Sequence, residues 1–103
     1  MYKVYKQNLA EEDLIDIWLY TYEKWGEDKA DIYLDELEVS LNLIADNPHL
    51  GICCDYIRKG YRQLHINRHI VFYFITEEEI HITRILYDQM DFVKHLSGKI
   101  EDE

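Results

Sequence analysis

Hydrophobic and polar positions divide this chain into alternating and helical stretches that follow one another in a definite order. In Tyr2-Lys3-Val4-Tyr5-Lys6 aromatic or β-branched residues alternate with lysines, the pattern of a strand with one face on a core and the other in water. Asn8 followed by Glu11 forms a loose capping arrangement, after which Leu14, Ile17, Trp18, Thr21, Tyr22 and Trp25 recur at helical spacing. This predicts an amphipathic helix closing at Gly26. Ala30, Tyr33, Leu34, Leu37, Leu41, Ile44 and Ala45 repeat the pattern, with acids on the opposite face and the stop signal Asn47-Pro48 at the end. The two helices are expected to form an antiparallel hairpin, with Trp18, Trp25 and Tyr33 packing into the core rather than serving as a stacking platform for a ligand.

From Pro48 onward the period changes. Pro48-His49-Leu50-Gly51 reads as a turn, and residues 52–57 as a short strand leading into a second turn at Arg58-Lys59-Gly60. Residues 61–66 alternate, with Arg62, Leu64 and Ile66 on one face and Tyr61, Gln63 and His65 on the other. Asn67-Arg68 is short enough to reverse the chain, and residues 69–76 form its most hydrophobic run, the pattern of a central strand covered on both faces. Glu77-Glu78-Glu79 turns the chain outward. In the last strand Ile80, Ile82, Arg84 and Leu86 are expected to point one way, and His81, Thr83, Ile85 and Tyr87 the other. Arg84 then stands on an apolar face, where its charge must be paired or emerge at the edge of the core. Residues 88–96 are expected to form a brief closing helix with Met90, Phe92 and Val93 packing down, followed by a frayed polar tail from residue 97.

The expected fold is therefore α+β. An N-terminal strand and an antiparallel two-helix hairpin precede a mainly antiparallel sheet of three to four strands with a short C-terminal helix. With 103 residues, 48% of them hydrophobic, the chain is long enough for one core and too short for two, so residues 1–103 are expected to be a single domain.

Charge alters the picture more than composition does. Residues 8–47 hold twelve acids against Lys24 and Lys29, and so carry essentially all of the net charge of -10, whereas no acid stands between Asp55 and Glu77. The acidic balance argues against unaided binding to nucleic acid, whose phosphates are held chiefly by Lys and Arg. The acids read most simply as a solvated helix face, with contact to a basic partner surface as the alternative. No apolar run reaches the roughly 18 to 20 residues of a membrane span, and the N-terminus alternates where a signal peptide would be continuously apolar. No membrane association and a cytoplasmic location are expected. Cys53 and Cys54 are neighbours, so a bond between them would be strained; one buried and one semi-exposed thiol are expected.

The five histidines show no HxH spacing, and the single HxxxH, His65 to His69, spans the Asn67-Arg68 chain reversal instead of a helix face; the four glycines stand alone, so neither a metal nor a nucleotide cofactor is expected. What remains is a basic set, Arg58, Lys59, Arg62, Arg68, His69 and Arg84, with Tyr61, Tyr73 and Tyr87 interleaved. Arginine can stabilise the charge developing on a phosphodiester while Tyr or His moves a proton; Arg62, His69, Arg84 and Tyr87 would carry such an RNA cleavage. The same residue types suit protein recognition, or serve simply as strand ends and turns. No base and nucleophile pair is legible, so the chain is not expected to be an enzyme.

Four phrases in order carry a family likeness: Asn47-Pro48-His49-Leu50-Gly51, Ile57-Arg58-Lys59-Gly60-Tyr61-Arg62, His69-Ile70-Val71-Phe72-Tyr73, and Ile82-Thr83-Arg84-Ile85-Leu86-Tyr87-Asp88-Gln89-Met90-Asp91. Together with the element order they resemble the RelE/ParE superfamily of bacterial toxins, and ParE in particular; Tyr87 departs from the His usual there. The resemblance implies the toxin of a type II toxin–antitoxin pair, one that poisons DNA gyrase so that replication stops and growth arrests. It also implies neutralisation by a ParD-like antitoxin, whose tail folds on the toxin within a toxin–antitoxin hetero-oligomer. On that reading Arg58, Arg62, Arg68, Arg84 and Tyr87 are candidates for recognition of gyrase or another partner, and Trp18, Trp25, Tyr33 and Leu37 for the antitoxin. A RelE-like ribosome-dependent messenger-RNA endonuclease is the alternative, and a non-toxic protein-binding module the third reading.

Overall fold

The alternating N-terminal run forms β1 (Lys3–Lys6), and the two periodic stretches form α1 (Asn8–Trp25) and α2 (Glu27–Asp46). The remaining alternating runs give β2 (Ile52–Cys53), β3 (Arg62–Ile66), β4 (His69–Ile75) and β5 (Glu79–Tyr87). The structure, a computed structural model, describes residues 2–89. Asp88 and Gln89 form a turn; the rest of the expected closing helix and the tail after it lie outside the described residues.

α1 opens at Asn8 rather than after it. Gln7 is its capping residue, and no side chain caps the helix, so the expected partnership of Asn8 with Glu11 does not form. The Glu11 N–H instead reaches the Gln7 carbonyl at 3.0 Å, and the first turn closes on backbone alone. Gly26 by itself joins the helices. Its φ of 92° lies where a side chain would be strained, its N–H closes on the Tyr22 carbonyl at 2.9 Å, and its carbonyl receives the Ala30 N–H at 3.1 Å. One residue thus ends α1 and starts α2. Among the described residues no helix is long and apolar enough to cross a membrane.

The strands form one sheet in the order β1-β5-β4-β3-β2, antiparallel except where β1 runs parallel to β5. β4 is its centre, as its continuous hydrophobicity predicts. Val71 and Tyr73 face the helices in a core with Ala10, Leu14, Ile17, Leu37, Leu41 and Ile44, while Ile70 and Phe72 join Cys54, Tyr61 and Leu86 in a smaller cluster on the other face. Each fully buried Leu or Ile contributes roughly 1.5 to 3 kcal/mol, which far exceeds the tenths separating helix propensities, so the inward stripe decides where each helix lies.

Two expectations from alternation fail, each for a local reason. The strand expected over residues 52–57 stops after Ile52 and Cys53, which pair with Gln63 and Arg62. Beyond them the Cys54 carbonyl accepts the N–H groups of Ile57 and Arg58, curling the chain into turns. In β5 the period of two breaks at Thr83. Ile82 pairs with Tyr73 but Arg84 pairs with Phe72, so Thr83 is an extra residue, a bulge whose Oγ1 donates to the Phe72 carbonyl at 3.1 Å. After it the faces exchange: Ile85 joins Ile80 and Ile82 in the helix-side core, and Leu86 lies in the opposite cluster.

Candidate functional site

Asp13 occupies the inward stripe of α1 with Ala10, Leu14 and Ile17, a position from which a carboxylate must find partners. The pairing of β1 with β5 ends at Lys6 and Ile82, and past that point Asp13 serves the strand edge. Its Oδ2 accepts the Ile85 N–H at 2.9 Å and the Arg84 Nε–H at 2.8 Å, while Oδ1 accepts Arg84 Nη2–H at 2.9 Å. Both side chains are nearly sequestered, at 13% and 11% exposure. The bonds from Asp13 hold the guanidinium above its ordinary pKa, and Nη1 is buried without a hydrogen-bond partner. Arg84 is paired, as its apolar surroundings demand, and it fastens α1 to β5 at an edge that β1 leaves unserved.

Arg62 and Tyr73 are used in a second internal arrangement. The buried Tyr73 hydroxyl donates to the Pro48 carbonyl and accepts the Gly51 N–H, both at 2.8 Å, and Arg62 Nη1–H reaches the Gly51 carbonyl at 2.6 Å. Burial raises the Tyr73 pKa, so the phenol keeps the proton it donates. A Cβ on Gly51 would lie 2.7 Å from the Tyr73 hydroxyl and 2.8 Å from the Gln63 carbonyl. The Asn47-Pro48-His49-Leu50-Gly51 turn is therefore a glycine turn because a tyrosine ring and a backbone carbonyl close over it.

Arg68, His69 and Tyr87 do come together, joined by Tyr33 from α2. Asn67, in the left-handed region at φ 54°, reverses the chain between β3 and β4 and sets Arg68 at the tip. Arg68 Nη2–H donates to the Tyr87 hydroxyl at 3.1 Å, which raises the guanidinium's pKa, and the group lies 5.9 Å from the Tyr87 ring centre. His69 Nδ1 and the Tyr33 hydroxyl are 2.6 Å apart. Burial pushes His69 below its ordinary pKa and Tyr33 above its own, so at neutral pH the bond joins a neutral phenol to a neutral imidazole. Nearby, His65 Nε2 and Asp88 Oδ2 are 2.9 Å apart. This cluster is the nearest approach among the described residues to a proton-moving group beside a cation.

Arg58 and Lys59 stand elsewhere. With Gln7, Gly60, Tyr61, Phe74 and Ile75 they line an open cleft of about 390 Å³ at the other end of β4 from His69. The length of β4 separates the two places by roughly 20 Å. The basic set of the sequence is thus divided among a cleft, a turn, an edge strut and a cluster at the hairpin tip. Among the described residues no three His, Cys, Asp or Glu side chains converge as metal ligands would. Cys53 is exposed and Cys54 buried, both unbonded, with burial pushing the Cys54 thiol up to about 11.

The helix-borne candidates separate as well. Leu37 is fully buried in the core, Tyr33 is half-buried and engaged with His69, and Trp18 is half-buried, its Nε1–H donating to Asp31 at 2.9 Å. Trp25 is 62% exposed, which corrects the expectation that it packs inward: it lies in the last turn of α1, past the end of the sheet-facing stripe. Tyr22, expected on the inward stripe, is likewise exposed at 48%, and sequence reasoning missed the ridges it belongs with, Ile15 and Leu19 on α1 and Ile32, Val39 and Leu43 on α2. Their signal was present, as helical repeats lying off the buried stripe. Asp13 was missed because it was counted with the solvated acids, although it sits at the buried spacing with Ala10, Leu14 and Ile17.

Comparison with known proteins adds the following. Residues 4–92 match the family described as "ParE toxin of type II toxin-antitoxin system, parDE". The chain is 42% identical over 88 residues to Toxin ParE1 of Mycobacterium tuberculosis, covering 84% of this chain and 90% of that protein. It is 36% identical over 87 residues to Toxin ParE1 of Caulobacter vibrioides, with the same coverage. Its fold matches a chain of the structure titled "Chromosomal ParDE TA system from P. aeruginosa" with a TM-score of 0.75 at 19% identity, over 84% of this chain and 96% of that one.

Proposed function

Because the chain belongs to the ParE toxin family of type II toxin–antitoxin systems, we propose that it arrests growth in the cytoplasm by inhibiting DNA gyrase and is neutralised by a ParD-like antitoxin. The observation that carries the reading is the bonding of Arg84 to Asp13. The arginine of the Arg-Ile-Leu phrase is engaged on two nitrogens within the fold, and Arg62 is engaged at Gly51, so neither is poised to stabilise a developing phosphate charge. Recognition of a protein needs no such group, and the exposed ridges of the helix hairpin supply apolar surface for an antitoxin.

One observation favours the second reading, ribosome-dependent RNA cleavage. The pair of His69 and Tyr33 beside Arg68 and Tyr87 places a neutral imidazole near a cation and two phenols. Induced expression separates the two. The gyrase reading expects growth arrest with relaxed or cleaved plasmid, intact transcripts, and recovery on co-expression of the antitoxin. Arrest with normally supercoiled plasmid and cut transcripts would reject it in favour of RNA cleavage.

A further inference from the structure

The outer surface of the helix hairpin combines two properties that together narrow what covers it. It is apolar along two lines: Ile15, Leu19 and Tyr22 follow one another at four and three residues on α1, and Ile32, Val39 and Leu43 at seven and four on α2. It is also acidic along their flanks. Asp31, bonded to Trp18, marks the side of α2 that faces α1, and Asp28 and Asp35 lie three before and four after it, on the same side. Glu36 adjoins the other side of the α2 ridge, and Glu12 and Asp16, four apart, lie along one side of the ridge of α1. The lysines of the hairpin, Lys24 and Lys29, stand near the Gly26 end, where Lys24 lies 5.7 Å from the Tyr20 ring centre.

Magnitudes separate the two contributions. Covering an apolar side chain contributes several times more than a charge pair at an exposed rim, so six of them can hold a partner while the rim charges add little affinity each. The ridges supply affinity for many apolar segments, and the carboxylates choose among them. A covering helix with acidic flanks would meet like charge on both sides of the α2 ridge and along one side of the α1 ridge, while one with basic flanks would meet complementary charge and be steered onto it. We infer that the antitoxin segment seated on this hairpin is an amphipathic helix with Lys and Arg beside its apolar stripe, so that the pair joins an acidic toxin to a basic antitoxin tail. This rests on the reading of the chain as an antitoxin-neutralised toxin.

The test uses the purified full-length chain, the antitoxin encoded beside it, and two synthetic helical peptides of about 20 residues, enough for five turns. The peptides share one apolar stripe and differ only in carrying Lys or Glu on its flanks. The basic peptide is expected to compete with the antitoxin at least about tenfold better than the acidic one, because the latter faces like charge. Antitoxin affinity is expected to fall about tenfold between roughly 0.1 and 0.5 M NaCl as screening tightens, and by a similar factor in the D28N/D35N/E36Q triple variant, with an unchanged melting temperature. Tight antitoxin binding that ignores both salt and the triple variant, yet is lost in V39S, overturns the charge inference and leaves the antitoxin reading standing. Failure of the antitoxin to bind the unmodified chain at any salt removes the antitoxin reading, and this inference with it.

Discussion

At Asp13 the fold makes its most demanding choice of residue, since it sets a carboxylate among Ala10, Leu14 and Ile17 and then satisfies it with three hydrogen bonds from Arg84 and Ile85. Removing one partner of a buried pair strands the other, which costs about 3 to 5 kcal/mol, whereas removing both costs less than the sum. Asp13→Ala and Arg84→Ala are each expected to lose about 3 kcal/mol in urea unfolding, and the double variant clearly less than the two together. Small, additive losses would show the pair to be a surface ornament. His69 gives a prediction of opposite chemistry. Burial lowers its pKa, so the unfolded chain takes up the proton at higher pH than the folded one. The stability tied to its neutral form is complete above about pH 6.5 and is lost as pH falls through that value toward the lower folded pKa. Asp88 and Asp13 pull the other way without reversing the shift, and Tyr33, Tyr87 and Arg68 are the remaining groups around it. The melting temperature is expected to drop further between about pH 7.5 and 5 in the unmodified chain than in His69→Gln, a comparison in which the other titrating groups cancel. Equal drops would mean that His69 is not held neutral.

Among the elements, what the sequence made legible was whatever repeats. Strand and helix order, the hairpin, the central place of β4 and the faces of β3 all follow from spacing, because burial rewards a stripe and nothing else in a short segment competes with it. What it hid were single-residue departures from the repeat. Thr83 adds one residue to β5 and exchanges its faces, and no local preference announces a bulge that is fixed by pairing with β4. The candidate site was hidden for a related reason: basic residues close in sequence, such as Arg58, Arg62 and Arg68, are dispersed by turns to both ends of the sheet, while Tyr33 arrives at His69 from 36 residues away. The two faces of α2 can be told apart by experiment. Leu37→Ala, in the core, is expected to cost about 2 to 5 kcal/mol in stability. Val39→Ser, 59% exposed, is expected to leave the melting temperature nearly unchanged and to weaken antitoxin binding. Val39→Ser binding the antitoxin as tightly as the unmodified chain would place the contact on another element.

As a whole the molecule sets an acidic helical layer against an acid-poor sheet whose arginines are divided among separate local tasks. The stretch that gathers them in sequence, residues 60–91, reads first as an active site. Across its described residues the fold turns it into an edge strut, a turn lock and a polar hairpin tip. In a chain of net charge -10 such a sheet is poorly equipped to approach the phosphates of a ribosome, and better suited to meeting another protein. Action of this ParE-family toxin on gyrase, as opposed to RNA, is checked with purified components and no ribosome present. Gyrase, ATP and relaxed plasmid are incubated with increasing amounts of the chain. Loss of supercoiling or accumulation of cleaved plasmid, reversed by the antitoxin, is the expected result; normal supercoiling at a large excess of the chain would rule gyrase out as the target.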